Sequence, residues 1–382
     1  MKRSKLFFLS IILMFVALSI PFQSVDTSAD VFTSARAMCV IESSSNRILY
    51  AKNENEKRAM ASTTKIMTAI TAIESGMDLD TPFEISRKAI GISGTSIYLK
   101  DGEQLTLRDL LYGLMLVSGN DASFAIGEYV GNGIEHFIDM MNWKAHQIGA
   151  FNTHFENTHG LDADGHYTSA YDLAIISSYA LKNEIFKEIV STKDIQITNT
   201  DGKIRYFRNK NKLLNALDGA IGVKTGYTGD AGRCLVSAVE REGMQVVCVV
   251  LDCRPMFEDS AEMLEKAFKE YDLIDLAANI VYPESLRVEN GSKDSVLLSR
   301  ITSCYYPLKE GEKEKISIEL NIADKIDAPI KKGDEIGEIR IFIDKDLLFS
   351  KKIFTMEDVK EKGVLQKIGD VISQWWFFNE IK

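Results

Sequence analysis

Proline is scarce in this chain, with 6 in 382 residues, and the 25 glycines follow no period. That excludes collagen-like repeats and Pro/Gly-rich disordered scaffolds. Cysteine is also sparse. Five residues, an odd number without Cys-x-x-Cys or Cys/His metal spacing, build neither a disulfide framework nor a zinc module. Cys39, Cys234, Cys248, Cys253 and Cys304 lie in apolar or strand-like segments and read as buried thiols, with one bridge among Cys234, Cys248 and Cys253 left open. No long Lys/Arg run occurs, and 45 basic residues face 55 acidic ones, a formal charge of −10. Such a chain is a poor partner for nucleic acid. His-Glu-x-x-His is absent. His154, His159 and His166 crowd near Asp162 and Asp164, yet an EF-hand count from Asp162 puts glycine too early, at Gly165, and Leu173 at the twelfth position. A turn-rich loop explains that stretch without a metal.

What is present suits a globular protein of about two domains: 45% apolar and 26% charged residues. Lys2, Arg3 and Lys5 precede an apolar run from Leu6 to Ile20, closed by Pro21 and the small residues Thr27-Ser28-Ala29. Residues 1–29 therefore read as a secretory signal peptide, too short an apolar run for a membrane span. The mature protein is expected outside the cytoplasmic membrane.

A hairpin signal follows Ala37, and helical spacing begins near residue 62, with Ile66, Met67, Ile70 and Ile73 on one face. Helices are expected over Leu107 to Leu116, Ala122 to Val130, Ile134 to Ile148 and Ala170 to Leu181. Strands return at Gly222 to Thr225, Cys234 to Val239 and Gln245 to Leu251, before a helix from Ala261 to Tyr271. Strands at both ends of a helical middle suggest one sheet assembled from the termini. Beyond about residue 280, short strands and Lys/Gly-rich turns predict a small all-β module. From Val364 to Phe378 the apolar residues Val364, Leu365, Ile368, Val371, Ile372, Trp375 and Trp376 fall on one helical stripe, interrupted by Lys367, Asp370 and Gln374. That pattern fits a helix lying in a membrane interface, with tryptophans at headgroup level.

The chemistry-bearing residues form three groups. Ser62-Thr63-Thr64-Lys65 places an amine one turn after a hydroxyl, at the start of an apolar helix. A desolvated lysine can take the serine proton, and a helix N-terminus favours a developing oxyanion. Ser118-Gly119-Asn120 falls in a turn between two helices, where a hydroxyl relays a proton and an amide either holds a substrate carbonyl or orients Lys65. Lys224-Thr225-Gly226 lies in a strand that suits an extended peptide ending in a carboxylate, its glycine leaving room for the substrate backbone.

These motifs, with Asn157-Thr158-His159-Gly160-Leu161 and Val223-Lys224-Thr225-Gly226-Tyr227-Thr228, resemble the D-alanyl-D-alanine carboxypeptidases, the low-molecular-mass penicillin-binding proteins. The resemblance implies an α/β transpeptidase/β-lactamase-like domain, mainly antiparallel sheet flanked by helices with a helical subdomain. A small all-β domain and a C-terminal amphipathic helix would follow it. The expected divisions are a signal peptide at 1–29, the serine carboxypeptidase domain at 30–278, the β-rich domain at 279–356 and a membrane-anchoring helix at 357–382.

Carried over by position, the resemblance makes Ser62 the acylated nucleophile, Lys65 its base, and Ser118 and Asn120 the rest of the proton network. Lys224, Thr225, Gly226 and Tyr227 would bind substrate, the N–H groups of Ser62 and Tyr227 would form the oxyanion hole, and Arg254 would take the carboxylate. Asn209 to Leu214 resembles a family stretch of structural role. The implied substrate is a peptidoglycan stem peptide ending in D-Ala-D-Ala, with β-lactams as covalent inhibitors. No cofactor is required, and the expected location is extracytoplasmic, peripherally attached to the outer face of the membrane through the C-terminal helix. A β-lactamase, a transpeptidase and a non-catalytic peptidoglycan-binding protein are the alternatives. The first needs a further glutamate base, for which only Glu128, four residues before Asn132, is available.

Overall fold

A computed structural model describes residues 33–278, 280–365 and 368–369. The expected signal peptide lies outside the described residues, as do Val371, Ile372, Trp375 and Trp376 of the expected C-terminal helix. Val364, Leu365 and Ile368 are exposed. No helix among the described residues is long and apolar enough to cross a membrane.

The chain opens with the hairpin β1 (Ala37–Glu42) and β2 (Ile48–Lys52), then leaves the sheet for a helical layer. A 3-10 turn at Ala61–Thr64 leads into α1 (Lys65–Ile73), every residue of which is buried. Short strands β3 (Phe83–Glu84) and β4 (Gln104–Leu105) flank the loop that precedes α2 (Leu107–Leu116), whose start is fixed by a Thr106/Asp109 capping box. Then come α3 (Asn120–Gly131), α4 (Ile134–Ile148), α5 (Ala170–Leu181) and α6 (Glu184–Ser191). The hairpin β5 (Asp194–Thr198) and β6 (Ile204–Arg208) and the single turn α7 (Leu213–Ala216) lead back to the sheet.

There β7 (Ala220–Thr228), β8 (Gly232–Arg241) and β9 (Met244–Leu251) complete an antiparallel sheet in the order β2-β1-β9-β8-β7, and α8 (Met256–Glu270) covers its other face. The terminal strands therefore interleave as expected, with β1 paired to both β2 and β9. Side chains alternate across β9. Val247, Val249 and Leu251 pack with the helical layer, whereas Val246, Cys248 and Val250 pack with α8. Burial on both faces explains why this strand reads as a continuous apolar run. All five cysteines are buried and unbridged, and burial pushes the Cys248 and Cys253 thiols up to about 12.

The β-rich unit follows without a linker. β10 (Tyr271–Asp275) begins where α8 ends and pairs with β13 (Tyr305–Lys309). β11 (Ser285–Glu289) lies between β12 (Ser295–Leu297) and β15 (Lys325–Asp327), and β16 (Glu335–Ile343) lies between β14 (Ile316–Ile322) and β17 (Asp346–Phe354). Arg47, in the β1–β2 turn, clamps this unit. Its guanidinium makes paired bonds to Glu312 at 2.6 and 2.9 Å and lies over the rings of Tyr271 and Tyr306.

One buried ion pair ties the loop before β4 to the β5–β6 hairpin. Arg205 donates to both oxygens of Glu103 at 2.5 and 2.6 Å, and the two side chains are 6% and 3% exposed. Burial alone would raise the Glu103 pKa, but the bonds and charge of Arg205 outweigh it and hold the carboxyl below its usual range. Glu103→Gln is expected to cost about 3–5 kcal/mol, because it strands a buried guanidinium. Urea unfolding at neutral pH measures the loss. Since the folded pKa is depressed, the wild-type advantage is full above the unfolded value of about 4.3 and disappears as pH falls through the folded one.

Candidate active site

The turn carrying Ser62 is wedged between two glycines. Ala61 has a left-handed backbone (φ 49), and its carbonyl accepts the Thr64 hydroxyl at 2.9 Å. A Cβ on Gly160, itself at φ +87, would lie 1.9 Å from that carbonyl oxygen, so no side chain fits there. On the other side a Cβ on Gly226 would come within 3.1 Å of the Ser62 nitrogen and 3.2 Å of the Met60 oxygen. The close neighbour of Gly226 is thus the turn carrying Ser62, which gives a packing reason for glycine at this position. Ser62 sits in a 3-10 turn instead of a regular helix start, and the three-residue repeat of that turn stacks Lys65 on it.

Lys65 is fully buried. Its Nζ is 3.0 Å from Ser62 Oγ, 2.7 Å from Asn120 Oδ1 and 2.6 Å from the His159 carbonyl oxygen, with no carboxylate in contact. Burial holds its pKa well below the ordinary lysine range; the ammoniums of Lys224 and Lys210 add to this and Asp121 opposes it. Its Nζ thus donates to three oxygens at once, the serine hydroxyl, the Asn120 amide and the His159 carbonyl, which hold the amine against Ser62.

Asn120 starts α3 with both ends of its amide engaged. Oδ1 takes Lys65, and Nδ2 donates to the Ser93 carbonyl at 2.6 Å. Of its two expected roles, orienting Lys65 is the one the geometry supports. Asp121 accepts from Ser96 Oγ at 2.5 Å and from the backbone of Ile97 and Leu99, so the 93–99 loop is fastened across the start of α3. Ser118, with φ 70, lines the groove in front of this network.

β7 is the last strand of the sheet, and an extended peptide can add along it. Lys224 is buried and donates only to its neighbour's carbonyl, Thr225 O, at 2.9 Å. Burial, with Lys210 second, holds its pKa down to about 7. Thr225, Gly226 and the exposed Tyr227 line an open groove of about 340 Å³ together with Ser62 and Ser118.

The groove also contains residues that sequence reasoning missed. Thr95 arrives on the fastened loop, Lys210 follows β6, and Met256 and Phe257 open α8. Arg233 stands directly opposite Tyr227 across β7–β8. Hairpin register counted through the three-residue loop Gly229-Asp230-Ala231 places it there; no motif marks it. Arg254, by contrast, is exposed in the turn before α8 and does not line the groove. Among the described residues no Asp or Glu lines the groove, so a protein of charge −10 presents a cationic site. The arrangement suits attack by a hydroxyl on an acyl carbon, in a ligand carrying negative charge.

Glu128 is paired with Lys88 near the end of α3 at 2.9 Å and is not among the groove residues. The loop histidines are occupied by local bonds, His154 to Gly165 and His166 to Thr64 and Glu156. Among the described residues no three His, Cys, Asp or Glu side chains gather as metal ligands. A second hollow, about 290 Å³, lies at the Arg205–Glu103 bridge and is lined by Lys100, Asp101, Glu103, Asn199, Asp201 and Lys203, without a nucleophile.

Comparison with known proteins agrees with this geometry. Residues 24–254 match the D-alanyl-D-alanine carboxypeptidase family, and residues 276–361 match the penicillin-binding protein 5 C-terminal domain. The D-alanyl-D-alanine carboxypeptidase DacF of Bacillus subtilis is 33% identical over 354 residues, 90% of this chain and 91% of the relative. Penicillin-binding protein 5 of Haemophilus influenzae superposes with a TM-score of 0.73 at 27% identity, covering 86% of this chain and 98% of that one. The Streptomyces K15 DD-transpeptidase superposes at 0.59 and 33% identity, over 62% of this chain and 98% of its own.

The electrostatics make a prediction independent of activity. Lys210→Met removes a like charge, so the Lys224 midpoint is expected to rise from about 7. Side-chain NMR of labelled lysines reads it; an unmoved midpoint would assign the whole depression to burial.

Proposed function

Because the chain belongs to the D-alanyl-D-alanine carboxypeptidase family, we propose that this serine peptidase removes the terminal D-alanine of stem peptides through an acyl-enzyme on Ser62. The observation that carries the assignment is the 3.0 Å approach of the Lys65 amine to Ser62 Oγ, in a pocket whose burial holds the amine's pKa well below the ordinary lysine range. Lys65 takes the hydroxyl proton as Oγ attacks the penultimate carbonyl carbon. The N–H groups of Ser62 and Tyr227 hold the oxyanion, and Ser118 passes the proton to the departing amine as the C–N bond breaks. Water then attacks the ester, Lys65 takes its proton, and Ser62 regains its hydroxyl. Asn120 keeps Lys65 aimed throughout. Gly226 and Tyr227 offer the strand edge to the peptide, while Lys224 and Thr225 meet its carboxylate. A β-lactam acylates Ser62 in the same way, but its amine stays tethered to the adduct.

Carboxylate recognition also calls for an arginine. Arg233 lines the groove, whereas Arg254 is exposed outside it, so the structure favours Arg233 for the role the family resemblance gives Arg254. Transpeptidation, with an amine replacing water, is a second reading supported by the likeness to the K15 enzyme. For the cell, we propose secretion through residues 1–29 and attachment to the outer face of the membrane by an amphipathic segment from Val364 onward. Residues 357–363, expected in the anchoring helix, are not helical, since Val359 bridges Ile330 and Glu361 bridges Gly291 within the β-rich unit. Lys367 and Asp370 offset each other in charge, so apolar burial carries the attachment.

Ser62→Ala is expected to abolish both D-alanine release and labelling by a fluorescent penicillin, a loss of at least about 10³-fold. An alanine variant that still labels would remove Ser62 as nucleophile. Arg233→Gln is expected to raise KM about 10- to 100-fold for a free D-Ala-D-Ala peptide, and far less for its C-terminal amide. Arg254→Gln should change neither by more than about twofold on that scale; the reverse ranking would return the role to Arg254. Deleting residues 364–382, which leaves the β-bridges of Val359 and Glu361 in place, is expected to release the protein from membranes with activity on small peptides intact. A truncated protein that still sediments with vesicles would end the anchor reading.

A further inference from the structure

One buried histidine takes no direct part in this chemistry yet is bonded to the turn that carries the nucleophile. His166, 6% exposed, lies in the loop between α4 and α5. The Glu156 N–H donates to its Nδ1 at 3.0 Å, which leaves the ring proton of the neutral imidazole on Nε2. Nε2 is 2.8 Å from Thr64 Oγ1, so the Nε2–H donates to that oxygen. The Thr64 hydroxyl in turn donates to the Ala61 carbonyl at 2.9 Å. Every donor in the chain is thereby assigned: Glu156 to His166, His166 to Thr64, Thr64 to Ala61. Burial keeps the ring neutral, with its pKa held down to about 4.

The end of the chain matters because of peptide planarity. The Ala61 carbonyl and the Ser62 N–H belong to one rigid trans unit and point in opposite directions. Fixing the carbonyl oxygen fixes the direction of the N–H. That unit follows a left-handed alanine, a conformation that persists only where the surroundings hold it. Gly160 crowds the same oxygen from the far side.

We propose that His166 is a positioning residue for the oxyanion hole, holding the Ala61–Ser62 peptide plane through the Thr64 hydroxyl so that the Ser62 N–H faces the developing oxyanion. The proposal rests on Ser62 as the acylated serine. Because an oxyanion donor acts in the transition state, its misalignment lowers the acylation rate constant while prior binding of the β-lactam stays unchanged.

Two conservative variants separate positioning from simple loop support. A glutamine amide can reproduce the Nε2–H but not Nδ1; an asparagine amide can reproduce the Nδ1 acceptor but not Nε2–H. Stopped-flow acylation by a chromogenic cephalosporin is the readout, with thermal melting alongside. His166→Asn is expected to lower the acylation constant about 3- to 10-fold at unchanged binding constant, whereas His166→Gln stays closer to wild type. Thr64→Val, close in shape and lacking the hydroxyl, should match His166→Asn and decides the matter alone if a His166 variant fails to fold. The double variant His166→Asn/Thr64→Val should lose no more than either single one, since both cut one chain. Wild-type acylation in Thr64→Val, a glutamine variant slower than the asparagine one, or losses that multiply in the double variant would each overturn the proposal. Mapping the adduct in the wild-type protein tests the underlying reading separately: a label on any residue other than Ser62 refutes that reading, whatever the His166 variants do.

Discussion

A lysine amine buried without a carboxylate is the constraint around which the catalytic unit is arranged. An ammonium at Lys65 would need a counter-charge to offset its desolvation, and none touches it. The chain supplies neutral acceptors instead, and each comes from a different part of the helical layer. Ser62 comes from the turn ahead of α1, Asn120 from the start of α3, and the His159 carbonyl from the loop after α4. A charged partner at any of these places would raise the amine's pKa. The site is built by withholding a salt bridge.

The same logic explains why the groove is cationic in an acidic protein. Lys210 and Lys224 each lower the pKa of Lys65 through like charge, and Lys210 with Arg233 gives the groove its positive lining. With Lys224 held down to about 7, its charge is itself poised near neutrality, and an arriving carboxylate favours the protonated form. Acid side chains are kept where they fasten backbone. Asp121 closes the 93–99 loop and Glu103 locks Arg205, so neither is free to neutralise the groove.

The sequence displayed the residues of the Ser-x-x-Lys, Ser-x-Asn and Lys-Thr-Gly groups because each is local: a turn, a helix start, a strand. It displayed the long helices α2, α4 and α5 for the same reason, their period being sustained over several turns. It concealed what depends on register or on approach between distant segments. Arg233 enters the groove only because β8 pairs with β7 in one register. The demand for glycine at 160 comes from a carbonyl almost a hundred residues earlier in the chain, not from its own turn alone. The short helix α6 and the β5–β6 hairpin escaped notice because an eight-residue helix and two five-residue strands give each period too few repeats to stand out. In the β-rich unit, β11 and β15 pair in parallel across a long connection, which no hairpin signal announces.

The β-rich unit is attached away from the groove. Its clamp, Arg47 between Tyr271 and Tyr306, sits in the turn leading into β2, and β2 is the strand at the opposite edge of the sheet from β7. Four strand steps of about 4.8 Å separate the two edges by roughly 19 Å. Tyr50 on β2 extends the same contact, donating to Glu270 at 2.7 Å while Lys309 pairs with that carboxylate at 3.1 Å. The joint thus has aromatic faces, a bidentate ion pair and a continuous passage from α8 into β10, and no flexible linker. An attachment that stiff, set on the far edge, fixes the direction in which the groove faces relative to the C-terminal end of the chain.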